Sequence, residues 1–173
     1  MPTRSEPVAD LLHPLLRGLS AQWLAKVGKC SVQSRFGEGH ALFEPGSSAT
    51  RIFLVQRGHV AVEVDSHGRP VPVAMLGPGD LLSCPCLGRS QVWQYRARAF
   101  TAATTQSILV SRLKNACQEE PEFGLEICRR LLGAVTGQLE ATRRQVAEVS
   151  EVALDSQRFA LEQFCGRPLP KVI

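Results

Sequence analysis

Apolar positions change their period twice along the chain. From Ala9 to Val27 they recur at helical spacing, through Leu11, Leu12, Leu15, Leu16, Leu19, Trp23, Leu24 and Val27, with Pro14 and Gly18 interrupting. That spacing predicts two short helices, the second capped by Ser20. Between Ser31 and Val110 the helical period gives way to short runs at 32–36, 40–43, 51–56, 59–65, 71–76, 98–103 and 106–110. Several alternate apolar and polar residues, as around Val60 to Val64, which turns one face of each strand inward. Glycines punctuate the runs, and Ser66-His67-Gly68-Arg69 reads as a hairpin tip. Many short strands with frequent Gly and Pro turns predict a mainly β fold, a jelly roll or barrel.

From Leu113 the helical period returns. After Pro121, the residues Cys128, Leu132, Val135, Leu139, Thr142, Val146, Val149 and Ala153 follow steps of four and three, the seam of a coiled coil. Such a seam predicts a partner helix, and the simplest partner is a second copy of the chain. Gly133 and Gly137 lower the intrinsic helicity, so packing must supply the difference. The long helix is expected over about 121–150. The chain thus divides into a helical lead-in over 1–30, a β-roll over 31–112, C-terminal helices over 113–165 and a tail over 166–173.

Length and composition narrow the picture. With 173 residues, 44% of them hydrophobic, the chain can bury one core, and a second full domain is not expected. Its net charge is +4, with Lys and Arg scattered among acids, so specific DNA binding gains no support from charge. The N-terminus lacks the layout of a signal peptide, and no apolar run approaches the roughly 20 residues needed to span a bilayer. A soluble, cytoplasmic protein is the expectation, and its six cysteines are then read as free thiols. Catalytic patterns are lacking. There is no Ser-His-Asp order, no HExxH and no phosphate loop, and the four histidines fall on unrelated segments, so the chain reads as non-catalytic. A metal-dependent roll of the cupin type would need clustered His and Glu ligands that the strands do not supply.

Candidate chemistry gathers around Gly77-Pro78-Gly79-Asp80-Leu81-Leu82, followed by Ser83-Cys84-Pro85-Cys86 and, after a loop, by Tyr95-Arg96-Ala97-Arg98-Ala99-Phe100. Gly and Pro supply the backbone angles with which a β-roll presents a pocket loop. Arg96 and Arg98, two apart on a strand, share a face. Two like charges there favour either an anion between them or acidic partners such as Glu63 or Glu140. Cys84 and Cys86 are too close for an easy disulfide and too few for zinc. They could complete a metal site with His40, His59 or a thiol of a second chain, act as a thiol switch, or simply line the loop.

These segments resemble the cyclic-nucleotide-binding domain of the cAMP-receptor and fumarate-nitrate-reductase regulator superfamily. The resemblance runs through Leu42-Phe43-Glu44-Pro45-Gly46, Ile52 to Val55, Gly58 to Val62, Gly77 to Asp80 and the strand from Arg96. It implies a β-roll followed by a long dimerisation helix, and a regulatory or sensor role exerted through that helix. In the superfamily the loop carries a Gly-Glu pair and then an Arg, a small hydroxyl residue and Ala, which cradle a cyclic nucleotide. Here the Gly-Glu places hold Ser83 and Cys84, Arg96 fits, and the hydroxyl place holds Ala97. The resemblance therefore offers Gly79, Ser83, Cys84, Arg96, Ala97 and Arg98 as ligand-binding positions while leaving the ligand open, with a thiol-based redox or metal sensor at Cys84 and Cys86 as the alternative. It is closer still to stand-alone members without a DNA-binding module, whose loop reads Gly-Trp-Ser-Trp before a strand ending in Ala-Arg-Ala. Ser83 to Leu87 and Trp93 to Ala99 occupy those places.

Overall fold

The computed structural model describes residues 13–82 and 92–165, and side chains as far as residue 147. Eight strands form two antiparallel sheets of four. They are β1 (Ser31–Phe36), β2 (Ala41–Phe43), β3 (Arg51–Arg57), β4 (Val60–Ser66), β5 (Arg69–Leu76), β6 (Leu81–Leu82), β7 (Arg96–Ala99) and β8 (Ala103–Leu109). One sheet runs β1-β8-β3-β6 and the other β2-β7-β4-β5. The jelly-roll expectation is met. The helices among the described residues are α1 (Ala21–Cys30), α2 (Val110–Glu119) and α3 (Pro121–Cys165), with a 3-10 turn at Pro14–Leu16 before α1. The chain divides after Ala134, so that the roll with everything packed on it forms one unit and the run from Val135 a second.

Burial explains the strand pattern. β3 is one of the two inner strands of its sheet, and Ile52, Phe53, Leu54 and Val55 are all buried because both of its faces are covered. Phe53 and Val55 stand opposite Ser107 and Thr105, and Phe53 meets Phe43 of the facing sheet with ring centroids 5.7 Å apart. That side is therefore the interior of the roll. Ile52 and Leu54 take the opposite side and belong to the same buried cluster as Val27 of α1 and Phe123 of α3. Ser20 caps α1 as its sequence implies, its Oγ accepting from Trp23 N at 3.3 Å. Glu120, at the corner between α2 and α3, accepts from Trp23 Nε1 at 2.6 Å and pairs with Lys26.

Two expectations needed correction. The strand placed at 98–103 is β7, which starts at Arg96 and stops at Ala99; residues 100–102 bend away before β8 begins. His59 forces that bend, its carbonyl accepting from Phe100 N at 2.8 Å while Thr101 Oγ1 accepts from His59 N at 3.0 Å. Gly58 makes the approach possible. It holds φ +75°, and a Cβ there would lie 2.2 Å from the Ala102 carbonyl oxygen. The long helix also continues to Cys165, beyond the expected end near 150.

Two further features bear on association. β5 is an edge strand whose Val71, Val73 and Met75 are exposed, and it carries Pro70 and Pro72. In α3, Phe123, Ile127 and Leu131 are buried in the core at helical spacing, whereas Cys128 and Leu132 on the neighbouring stripe are exposed, Leu132 by 69%. Among the described residues, no helix is long and apolar enough to cross a membrane.

Candidate functional site

The Gly-Pro-Gly-Asp segment forms a tight turn stapled to the strand beside it. Gly79 N donates to the Val55 carbonyl at 3.0 Å and Val55 N to the Asp80 carbonyl at 2.9 Å, so the turn continues the ladder of β3. Asp80 closes it by accepting from Gly77 N at 2.9 Å through Oδ2. Gly79 has φ +98°, a conformation that favours glycine. Beyond β6 the chain passes through residues 83–91. Ser83, Cys84 and Cys86, three of the positions singled out by sequence, lie there and outside the described residues.

The chain returns at Trp93, which is buried inside the roll. Its ring stacks on Phe43 with centroids 3.7 Å apart and planes within 8°, and Tyr95 meets the same pair edge-on. Trp93 N donates to the Ser47 carbonyl at 3.0 Å and Gly46 N to the Trp93 carbonyl at 2.8 Å, which ties this segment to the Glu44–Ser47 turn. A cavity of about 320 Å³ adjoins the stack, lined by Leu42, Phe43, Ser48, Arg51 and Trp93 among others. The rings were not foreseen as a unit. Their signal was present in Phe43, Phe53, Trp93 and Tyr95, but only the pairing of the sheets joins them. Polar atoms also face this interior. Ser34 Oγ and Ser107 Oγ share a hydrogen bond of 2.9 Å, and Thr105 Oγ1 is fully buried without a hydrogen-bond partner among the described residues.

Strand alternation then decides where the arginines point. Ala97 and Ala99 are fully buried in the core cluster beside Val60 and Phe43, so Arg96 and Arg98 stand on the other, outer face of their sheet. There they meet a protein anion. Arg98 donates to Glu63 Oε1 through Nε at 3.0 Å and a terminal nitrogen at 2.6 Å. Arg96 donates to Glu44 at 2.6 Å and lies 3.9 Å from the second Glu63 oxygen. These bonds raise the affinity of the Arg98 guanidinium for its proton. The side chain of Glu63 is only 4% exposed and that of Glu44 50%. The structure thus brings Arg96, Arg98 and Glu63 together, sends Ala97 to the interior, and sets Gly79 in a turn on the neighbouring sheet. Among the described residues, no group of three or more His, Cys, Asp or Glu side chains could hold a metal ion.

A double-sheet roll with a glycine turn at one edge strand and a long helix following its last strand defines a β-roll module of the kind that precedes a signalling helix. The family model for the cyclic nucleotide-binding domain matches residues 33–120, just over half of the chain, and the chain belongs to that family. Solved structures agree on the fold. A putative cyclic nucleotide-binding protein from Geobacter metallireducens superposes with a TM-score of 0.64 at 20% identity, over 73% of this chain and 92% of that one. The catabolite activator protein of Thermus thermophilus gives 0.62 at 18% identity, over 79% and 63%. A CooA variant from Carboxydothermus hydrogenoformans gives 0.58 at 20% identity, over 95% and 99%. No curated protein matches the chain in sequence.

Proposed function

We propose that the chain is a non-catalytic sensor or scaffold module that keeps the cyclic-nucleotide-binding fold but departs from cyclic-nucleotide recognition, and that signals as a homodimer through α3 to a partner protein. One observation carries this reading. Among the described residues, the strand arginines at the expected place, Arg96 and Arg98, face outward onto Glu63 and Glu44, while Ala97, Trp93 and Phe43 occupy the inward side. Among the described residues, a cyclic phosphate on the inward side of β7 would therefore meet the Ala97 and Ala99 methyls and not a guanidinium of that strand. Ligand or partner contact falls instead along the loop from Gly79 through Ser83 and Cys84 to Arg98. An anionic group arriving at Arg96 displaces the half-exposed Glu44, not the buried Glu63.

Transmission follows from packing. Leu81 and Leu82, where the loop begins, share a core cluster with Phe123, Ile127 and Leu131 of α3, so a shift at the root of the loop is felt by the helix. Titration calorimetry with cyclic AMP and cyclic GMP tests the reading, and no saturating heat is expected in the low-micromolar range. A low-micromolar dissociation constant for either nucleotide overturns it. Metal retained by purified protein, or an oxidant-dependent mass change, would move the site to Cys84 and Cys86.

A further inference from the structure

The outer face of the β1-β8-β3-β6 sheet carries a second, basic hollow, which meets the proposed site only at Gly79. Arg35 of β1 and Arg57 of β3 both stand opposite Thr104 of β8, one on each side. Thr104 alternates with the inward-facing Ala103 and Thr105, so this row points away from the roll interior. Two strand spacings put the arginine backbones about 10 Å apart, a gap that two guanidinium arms close readily. The facing wall is the segment before α1, with His13, Pro14 and Arg17, and Pro78 and Gly79 complete the rim. The hollow measures about 810 Å³, and no carboxylate lines it among the described residues.

The wall is held in place by bonds that leave its charge free. Arg130 of α3 donates to the carbonyls of Leu15 at 2.9 Å and Arg17 at 2.5 Å, which fixes the backbone that presents the Arg17 side chain. His13 donates from Nε2 to the Asp80 carbonyl at 3.0 Å and accepts from Leu15 N at Nδ1 at 3.2 Å, so it is the neutral tautomer and a strut. Arg17, Arg35 and Arg57 form no ion pair among the described residues; Arg35 reaches only the amide oxygen of Gln33, at 3.5 Å. This contrasts with Arg96 and Arg98 on the other sheet, each of which has its carboxylate. Three guanidinium groups around an acid-free hollow repel one another, and a multiply charged oxyanion relieves that repulsion with forked hydrogen bonds.

We propose that this hollow binds a small, multiply charged anion of the phosphate class, with inorganic pyrophosphate as its minimal form. Arg35 and Arg57 grip it from the sheet, Arg17 closes from the lead-in, and the Thr104 hydroxyl lies between. Gly79 belongs to this rim and to the turn that begins the pocket loop, so occupancy here stiffens the root of that loop.

Titration calorimetry of the full chain with inorganic pyrophosphate is the test, with orthophosphate as the singly phosphorylated comparison. Saturable binding is expected, tighter for pyrophosphate. Arg35→Gln and Arg57→Gln each weaken it about tenfold or more, the loss anticipated for a charged hydrogen bond. Arg144→Gln, on the exposed surface of α3, leaves it unchanged. Circular dichroism confirms that the variants keep their β structure. The proposal is overturned by an absence of saturable binding, or by equal weakening in Arg144→Gln, which would mark diffuse charge attraction. It is also overturned if neutralising Glu6 and Asp10 together raises the affinity tenfold, since the chain's own acids would then be the occupant.

Discussion

His13 is one residue through which stability should respond to acid. Buried between the lead-in and the Asp80 carbonyl, it has a proton affinity pushed below the usual value of 6.5, chiefly by desolvation. The unfolded chain therefore takes up a proton at a pH where the folded chain does not. The neutral ring contributes its full stability above pH 6.5 and loses it as the pH falls from there towards the lower folded value. Urea-denaturation midpoints should hold steady above pH 6.5 and decline as the pH falls below it, and His13→Gln should flatten that decline. A slope unchanged in the variant would assign the effect elsewhere. Glu126 acts in a separate window. Hydrogen bonds from Arg129 and then Arg130 lower its pKa from 4.5 to about 2, so its contribution is present above 4.5 and disappears only between 4.5 and about 2.

At the scale of elements, the bend between β7 and β8 is the most demanding join in the roll. Gly58→Ala must accommodate both a positive φ and a Cβ 2.2 Å from the Ala102 carbonyl oxygen, and should cost about 2 kcal/mol or more in equilibrium unfolding. A loss below 0.5 kcal/mol would mean that the bend yields freely. The same join shows how far the sequence could be read. The hairpin at Ser66–Arg69 was legible because His67 and Gly68 both take positive φ, 56° and 78°, and Asp65 accepts from Gly68 N, all local chemistry. The end of β7 was not legible, because the contacts that break it come from His59, some forty positions earlier. Strand β6 has only two residues, too few to show a period. Alternation gave the shared face of Arg96 and Arg98, but not which way it turned. Ala97 and Ala99 are core residues that carry little hydrophobic signal, and only their burial reveals the interior. The basic hollow was invisible for the same reason in stronger form. Arg17, Arg35 and Arg57 lie on separate segments, and strand register alone makes neighbours of the last two.

At the scale of the whole molecule, the question is what covers the second stripe of α3. Phe123, Ile127 and Leu131 are already satisfied by the core, whereas Leu132, Val135, Leu139 and Val146 stay between 40% and 69% exposed. A second copy of the helix is the proposed cover, and Leu139→Glu places a charge in that seam without touching the roll. Because an unpaired buried charge costs several kcal/mol, light scattering should show the dimer become a monomer while the β-rich circular dichroism is kept. A wild-type chain that is monomeric at tens of micromolar would remove the proposal. The edge strand β5 bears on the same question from the opposite side. Residues two apart offer their backbone donors to one side of a strand, and at Pro70 and Pro72 those donors do not exist. A strand arriving from a neighbouring molecule would find gaps in the ladder it needs, despite the inviting surface of Val71, Val73 and Met75. The β5 edge is thereby protected from fibre-like stacking in a crowded solution: on that side of the roll, growth by one more strand has nowhere to start.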